Sequence, residues 1–288
     1  MPNWKPSADL SALRARARLN QAIRDFFVAR NVLEVETPLL CQSTATDPHL
    51  TSFELTWQGR AHYLQTSPEF PMKRLLAAGS GPIFQLCKAF RADEVGRIHN
   101  PEFTLLEWYR PGFSLQDLMS ETEALVRHLA SLFGCTEALV AQRLTYREAF
   151  MNALGIDPLL ASDATLAAVA REHIEGAPQD WDRDGWLNLL MSQVVEPSLP
   201  HGMTFVWGFP PSQASLARCL PDVDGVPIAA RVELYLGGME LANGYHELID
   251  ADEQRQRCRA DISQRQVSGL SPVPEPELLL GALHAGMP

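Results

Sequence analysis

The sequence predicts an α+β protein in which an antiparallel sheet is flanked by helices. Two observations carry this. Five strand-like stretches, at residues 62–66, 82–92, 102–110, 203–209 and 230–248, arrive without a helix between each pair, and strands of that kind pair antiparallel. Between about residues 115 and 200 the apolar spacing changes to the helical period, so a mainly helical segment is inserted among the strands. No repeat, low-complexity linker or long charge run divides the chain, and residues 1–288 therefore read as a single domain carrying that insertion.

The elements follow in order. From about Leu10 to Arg30, Leu13, Ala17, Ile23, Phe26 and Phe27 recur at helical spacing, and Ser7 or Asp9 is available to cap the start. Val32, Val35 and Leu39 then point to an extended segment, with Pro38 barring any helix. The strands HYLQT, PIFQLCKAFRA and EFTLLEWYR come next. Helices are expected over LQDLMSETEALVRHLASLF, YREAFMNAL, ATLAAVAREH and RDGWLNLLMSQVV, followed by the strands MTFVWGF and ARVELYLGGMELANGYHEL. A helix from about Asp252 to Gln266 and another from Pro276 to His284 close the chain.

Composition narrows the function classes. With 46% apolar and 20% charged residues the chain is an ordinary globular protein. A net charge of −11 argues against an extended nucleic-acid surface, because each neutralised phosphate needs a nearby cation. A local cationic pocket for a nucleotide stays open. The five cysteines form no CxxC pair, so they read as buried or free thiols of a reducing, cytoplasmic setting. No apolar run reaches membrane-spanning length, and the arginines near the N-terminus are interspersed with Asp9, Asp25, Glu34 and Glu36, as on a solvated helix face rather than in a targeting peptide.

Two clusters carry chemistry. The first is FRADEVGRIHNPEFTLLEWY. Arg91, just after an apolar strand, presents a planar fork that can hold a phosphate or carboxylate by two parallel hydrogen bonds, or can simply pair with a nearby glutamate. Gly96, Arg97, His99, Asn100 and Phe103 follow on a turn and returning strand, which could wrap a triphosphate and offer Phe103 as a stacking face. The second cluster is RVELYLGGMELANGYHEL. If Gly237 and Gly238 form a hairpin, Glu233 and Glu240 come close enough to share a magnesium ion, although glutamates on an exposed hairpin are usually only solvated. Alternation places Asn243 and Glu247 with Glu233, and Met239, Leu241 and Tyr245 on the other face.

These residues resemble the catalytic domain of a class II aminoacyl-tRNA synthetase of the lysyl type. The first class motif is similar to the opening helix plus VLEVETPLL, the second to FRADE followed by RIHNPEFT, and the lysyl-type signatures to TSPEFPMKRLL and ELANGYHEL. The resemblance runs from roughly residue 10 to 260, and such long ordered motifs are far more specific than a lone glycine loop. Within the family it is nearest to the branch without an anticodon-binding domain, whose members attach (R)-β-lysine to a lysine of translation elongation factor P.

The resemblance implies roles. Arg91 would clamp the α-phosphate of ATP and the substrate carboxylate as the catalytic residue. Asp93, which stands where the family usually has glutamate, would line the nucleotide with His99, Asn100, Phe103, Glu240 and Leu241. Glu233 and Glu240 would hold Mg2+. Ser67, Glu69, Glu107, Tyr109, Asn243 and Glu247 would bind the lysine-like substrate. It further implies a cytoplasmic homodimer acting on elongation factor P, with no tRNA or membrane partner. The sequence ends at ALHAGMP, where the family's third motif, a glycine-rich strand and an arginine-bearing helix, would follow, and is expected to stop short of both. Transfer of the amino acid to tRNA, and a non-catalytic binding role, are the alternative readings.

Overall fold

The computed structural model describes residues 4–135 and 140–288. Its elements in chain order begin with α1 (Leu10–Val28), β1 (Leu33–Glu34), β2 (Leu40–Cys41), β3 (Glu54–Trp57), β4 (Arg60–Leu64), α2 (Glu69–Ala77), β5 (Ile83–Phe90) and β6 (Glu102–Tyr109). There follow α3 (Leu115–Leu132), β7 (Ala141–Thr145), α4 (Tyr146–Leu154), α5 (Asp163–His173), α6 (Arg183–Leu190), a π-helical turn at Met191–Val195 and the short α7 (Glu196–Ser198). The remainder is β8 (Met203–Phe209), a 3₁₀ turn at Pro211–Gln213, β9 (Cys219–Pro221), β10 (Pro227–Leu236), β11 (Met239–Tyr245), α8 (Ala251–Val267) and α9 (Glu277–Ala285). The chain divides into two compact units, Met1–Gly112 with Ile249–Pro288, and Phe113–Leu248.

In the first unit, Asp9 rather than Ser7 caps α1, its carboxylate accepting from the Ala12 amide at 2.7 Å. The C-terminal half of α1 buries Ile23, Phe26 and Phe27, and Phe27 stacks on Phe84 of β5. β5 pairs antiparallel with β6 over eight residues, from Ile83 opposite Tyr109 to Phe90 opposite Glu102, and parallel with β1. A second small sheet, β2–β4–β3, is closed by a two-residue turn in which both Gln58 and Gly59 have positive φ, the geometry that tight hairpins require. α2 and α9 share a core with the start of β5 and the end of β6: Met72, Leu76, Ile83, Tyr109, Leu279 and Leu283 are all buried together. Buried Arg265 of α8 donates to the carbonyls of Asp47 and Leu50 and fastens that helix over a loop.

The second unit is built on the sheet β11–β10–β8–β7, with β9 also paired to β10. Alternation along β8 and β10 separates its two faces. Phe205, Val232 and Leu234 pack with Met119 of α3, while Val206, Phe209 and Tyr235 join Tyr146, Phe150, Leu166, Trp186 and Leu190 from α4, α5 and α6. A Cβ at Gly244 would lie 2.9 Å from the Leu118 side chain, so this strand position takes glycine because α3 crosses it closely.

The expected α+β class and antiparallel pairing are present, distributed over three sheets. Strand β7, which runs parallel to β8, lies within the stretch expected to be helical. Its sequence, AQRLT, is too short to show a period. No helix among the described residues is long and apolar enough to cross a membrane.

Candidate active site

One face of the β5–β6 ladder gathers the first cluster. Ile83, Gln85, Cys87 and Ala89 stand opposite Tyr109, Glu107, Leu105 and Phe103, and directly opposed residues share a face. Phe103 is therefore on the same side as Glu107 and Tyr109, at the other end of β6. Arg91 leaves β5 beside it: the guanidinium carbon sits 5.1 Å from the Phe103 ring centre, and Nη1 donates to Glu94 at 3.0 Å. Both readings of Arg91 thus find a partner here, an aromatic platform and an acidic neighbour. Asp93, His99 and Asn100 lie in the exposed loop that joins the two strands, closed at its base by the Arg91 amide donating to the Pro101 carbonyl.

At the other end of this face Tyr109 donates to Glu107 at 2.7 Å, orienting the carboxylate. Buried Gln85, paired with Glu107, accepts from Thr37 at 3.0 Å. Cys87 is pushed up to about 11, chiefly by burial and also by the Glu107 charge, against a hydrogen bond from Gln65 that lowers it, so the thiol stays protonated. Ser67 and Glu69 lead into α2, with the Ser67 hydroxyl near the Glu69 amide, and Glu69 is held by the ammonium of Lys73.

The second cluster sits on the β10–β11 hairpin. Gly237 and Gly238 both take positive φ, so the expected turn forms and Leu236 pairs with Met239. A bulge follows: Tyr235 pairs with Glu240 but Leu234 pairs with Ala242, leaving Leu241 as the extra residue. This slip brings Arg231, Glu233, Tyr235, Glu240, Asn243 and Tyr245 onto one face, where an uninterrupted strand would have put Glu240 and Asn243 on opposite faces. The expected orientation of Tyr245 away from Asn243 is corrected: the two stand two residues apart on an unbroken stretch and so share a face, with Tyr245 opposite Arg231. Leu241, expected to line the nucleotide, has no register partner on β10, so its peptide groups rather than its side chain are the part that suits a ligand. Glu247 lies past the end of β11, bridged to Ala217.

Glu233 is buried at 5% exposure and accepts from three side chains. Arg231 donates to it, Tyr235 donates at 2.5 Å, and the Asn243 amide approaches at 3.4 Å. The Tyr235 hydroxyl also lies 3.4 Å from Glu196, which follows the π-helical turn. Burial raises Tyr235 far above the phenol range, with the Glu233 and Glu196 charges adding to it. Burial likewise raises Glu196, helped by Glu233. For Arg231 burial acts downward, but Glu233, Tyr245 and Glu240 outweigh it.

The donor set bears on magnesium. Among the described residues no group of three or more His, Cys, Asp or Glu gathers. Magnesium, however, is commonly held by one or two carboxylates together with substrate phosphates, and Glu233 and exposed Glu240 supply two on one face. Glu233 keeps acceptor capacity beyond its three donors.

Sequence reasoning missed Lys73, Arg231, Tyr235 and Glu196. The first three had a signal: Glu69 and Lys73 are four apart on a helix, and Arg231, Glu233 and Tyr235 alternate on a strand. Glu196 had none, because only tertiary packing brings it to Tyr235.

Comparison with known proteins defines the class to which this α+β fold belongs. The family model for class II tRNA synthetases (D, K and N) matches residues 6–288, and the chain belongs to that family. Its curated relatives include proteins named elongation factor P–(R)-beta-lysine ligase. That of Pseudoalteromonas translucida is 48% identical over 99% of this chain and 88% of its own length. Those of Salmonella gallinarum and Edwardsiella ictaluri are 47% and 46% identical, over 99% and 100% of this chain and 88% and 89% of their own lengths.

Proposed function

We propose that the protein activates (R)-β-lysine with ATP as an acyl-adenylate and transfers it to a lysine of translation elongation factor P in the cytoplasm. The observation that supports this most directly is the composition of one face of β6, with Phe103 under the Arg91 guanidinium at one end and the Glu107–Tyr109 pair at the other, in a chain 48% identical to a ligase of that name. Such a face offers a base-stacking and phosphate-binding end and an ammonium-binding end.

In this reading the substrate carboxylate attacks the α-phosphorus in line, and pyrophosphate leaves. Catalysis is positioning plus neutralisation of charge. Arg91 clamps the α-phosphate and the attacking carboxylate, while Asp93, His99, Asn100 and Phe103 line the nucleotide with the backbone at Leu241. Glu69, Glu107, Tyr109 and Glu247 recognise the ammonium groups, Asn243 helps Arg91 with the carboxylate, and Ser67 also binds the substrate. Glu233 and Glu240 would hold Mg2+, which when bound neutralises phosphate charge. The amine of the target lysine then attacks the acyl carbon, an amide forms, and AMP leaves.

The same reading takes residues 1–288 as belonging to one catalytic domain with a helical insertion at about 115–200, supported by the family match across residues 6–288. It also takes the protein as a homodimer through the α1–Pro38 region, where Leu10, Leu13, Leu33, Leu39 and Leu40 are exposed. Sedimentation at micromolar concentration tests the dimer. ATP–pyrophosphate exchange tests the activation: it should depend on (R)-β-lysine, and an equal rate with leucine would overturn the substrate assignment.

A further inference from the structure

The pair Glu69 and Lys73 differs from the solvated ion pair that their spacing on a helix ordinarily makes. Lys73 Nζ lies 2.5 Å from Glu69 Oε1, with the lysine side chain only 2% exposed and the glutamate 15%. Lysine is seldom buried to this degree without a counter-charge, and here its neighbours Met72 and Leu76 belong to the core. The ammonium is thus behind and the carboxylate in front. A solute approaching α2 at its first turn meets Glu69, not Lys73.

That order has two chemical consequences. Opposite charges attract more strongly where water is scarce, so the buried ammonium fixes where the carboxylate sits. A carboxylate also carries acceptor sites on both oxygens. With Oε1 engaged by Lys73, rotation of the group is restrained and Oε2 remains for another donor.

We infer that Lys73 is a positioning residue for the amino-acid substrate: it holds the Glu69 carboxylate in place without touching the substrate itself. The inference rests on the reading that Glu69 receives a substrate ammonium, and the experiment separates the two. The Michaelis constants for (R)-β-lysine and for ATP are measured by pyrophosphate exchange in Glu69→Gln, Lys73→Met, Lys73→Arg and the double variant.

Glu69→Gln should raise the amino-acid KM about tenfold or more and leave that for ATP within about twofold. An unchanged KM there sinks the substrate reading of Glu69, and the inference falls with it. If Glu69→Gln behaves as expected, Lys73→Met should raise the amino-acid KM by a similar factor and leave that for ATP within about twofold, while Lys73→Arg stays near wild type. A rise in Lys73→Met that the ATP constant follows, or a Lys73→Arg variant as impaired as Lys73→Met, assigns Lys73 a purely structural role and overturns the inference. Should Lys73→Met fail to fold, the double variant, which removes both members of the pair, decides. Lysine acting only through Glu69 predicts the KM of Glu69→Gln alone, and a further increase contradicts it.

Discussion

Replacing Arg91 by lysine separates a catalytic arginine from one that only holds its loop. In the fold, Arg91 makes an ion pair with Glu94 at 3.0 Å between side chains that are 27% and 31% exposed, and it stacks at 5.1 Å over Phe103. A part-exposed ion pair contributes about 0–1 kcal/mol, and lysine can keep it. The stack contributes about 0.5–1 kcal/mol, of which a lysine ammonium keeps a part. The stability loss should therefore be no more than about 1 kcal/mol, or about 2–4 °C in Tm for a chain of this size.

The kinetic cost is of a different order. Removing one preorganised donor from a developing charge commonly costs about 100- to 1,000-fold, roughly 2.7–4 kcal/mol, and a point charge cannot hold two oxygens in the fork's geometry. Arg91→Lys should thus lose at least about 100-fold in ATP–pyrophosphate exchange while melting within a few degrees of wild type. Exchange within about threefold of wild type in the folded variant would refute the reasoning and leave Arg91 as the partner of Glu94 alone.

Two further outcomes are expected. Glu107→Gln removes a charge that Tyr109 orients at 2.7 Å, and losing a charge-assisted bond of about 1.5–3 kcal/mol should raise the amino-acid KM roughly ten- to hundredfold with ATP binding intact; equal loss of both would contradict the assignment. Glu196 is raised in the fold by burial and by Glu233, so its contribution to stability is fully present below the usual glutamate range and is lost as pH rises through that range and beyond. Glu196→Gln, which stays neutral, should therefore gain in Tm relative to wild type between about pH 4 and about pH 7, and a difference independent of pH would show that Glu196 carries no such shift.

The sequence made the fold class legible where periods were long. The residues of β5 and β6 run for eight positions each, enough to show strands, and α3 carries Ser114 and Asp117 as a capping box ahead of its apolar stripe. The five-residue β7 and the two-residue β1 and β2 are set by their neighbours, and no local pattern marks them.

In the candidate site, the Gly237-Gly238 turn was readable because glycine takes the positive φ of a tight hairpin without steric cost. The bulge at Leu241 was not, because ladder pairing and not local sequence decides where an extra residue is extruded, and that single slip sets Glu240 on the face of Asn243. Likewise Arg91 showed its chemistry in sequence, but the choice of Phe103 as its platform depends on the register that carries Phe103 opposite Ala89.

The central claim is that activated β-lysine goes to a protein lysine. The direct measurement incubates the protein with ATP, Mg2+ and (R)-β-lysine in the presence of both elongation factor P and lysine tRNA, then weighs the factor by mass spectrometry and assays the tRNA for acylation. The account predicts that the factor gains the mass of a β-lysyl group in step with AMP and pyrophosphate release while the tRNA stays uncharged. Acylated tRNA beside an unmodified factor would contradict it.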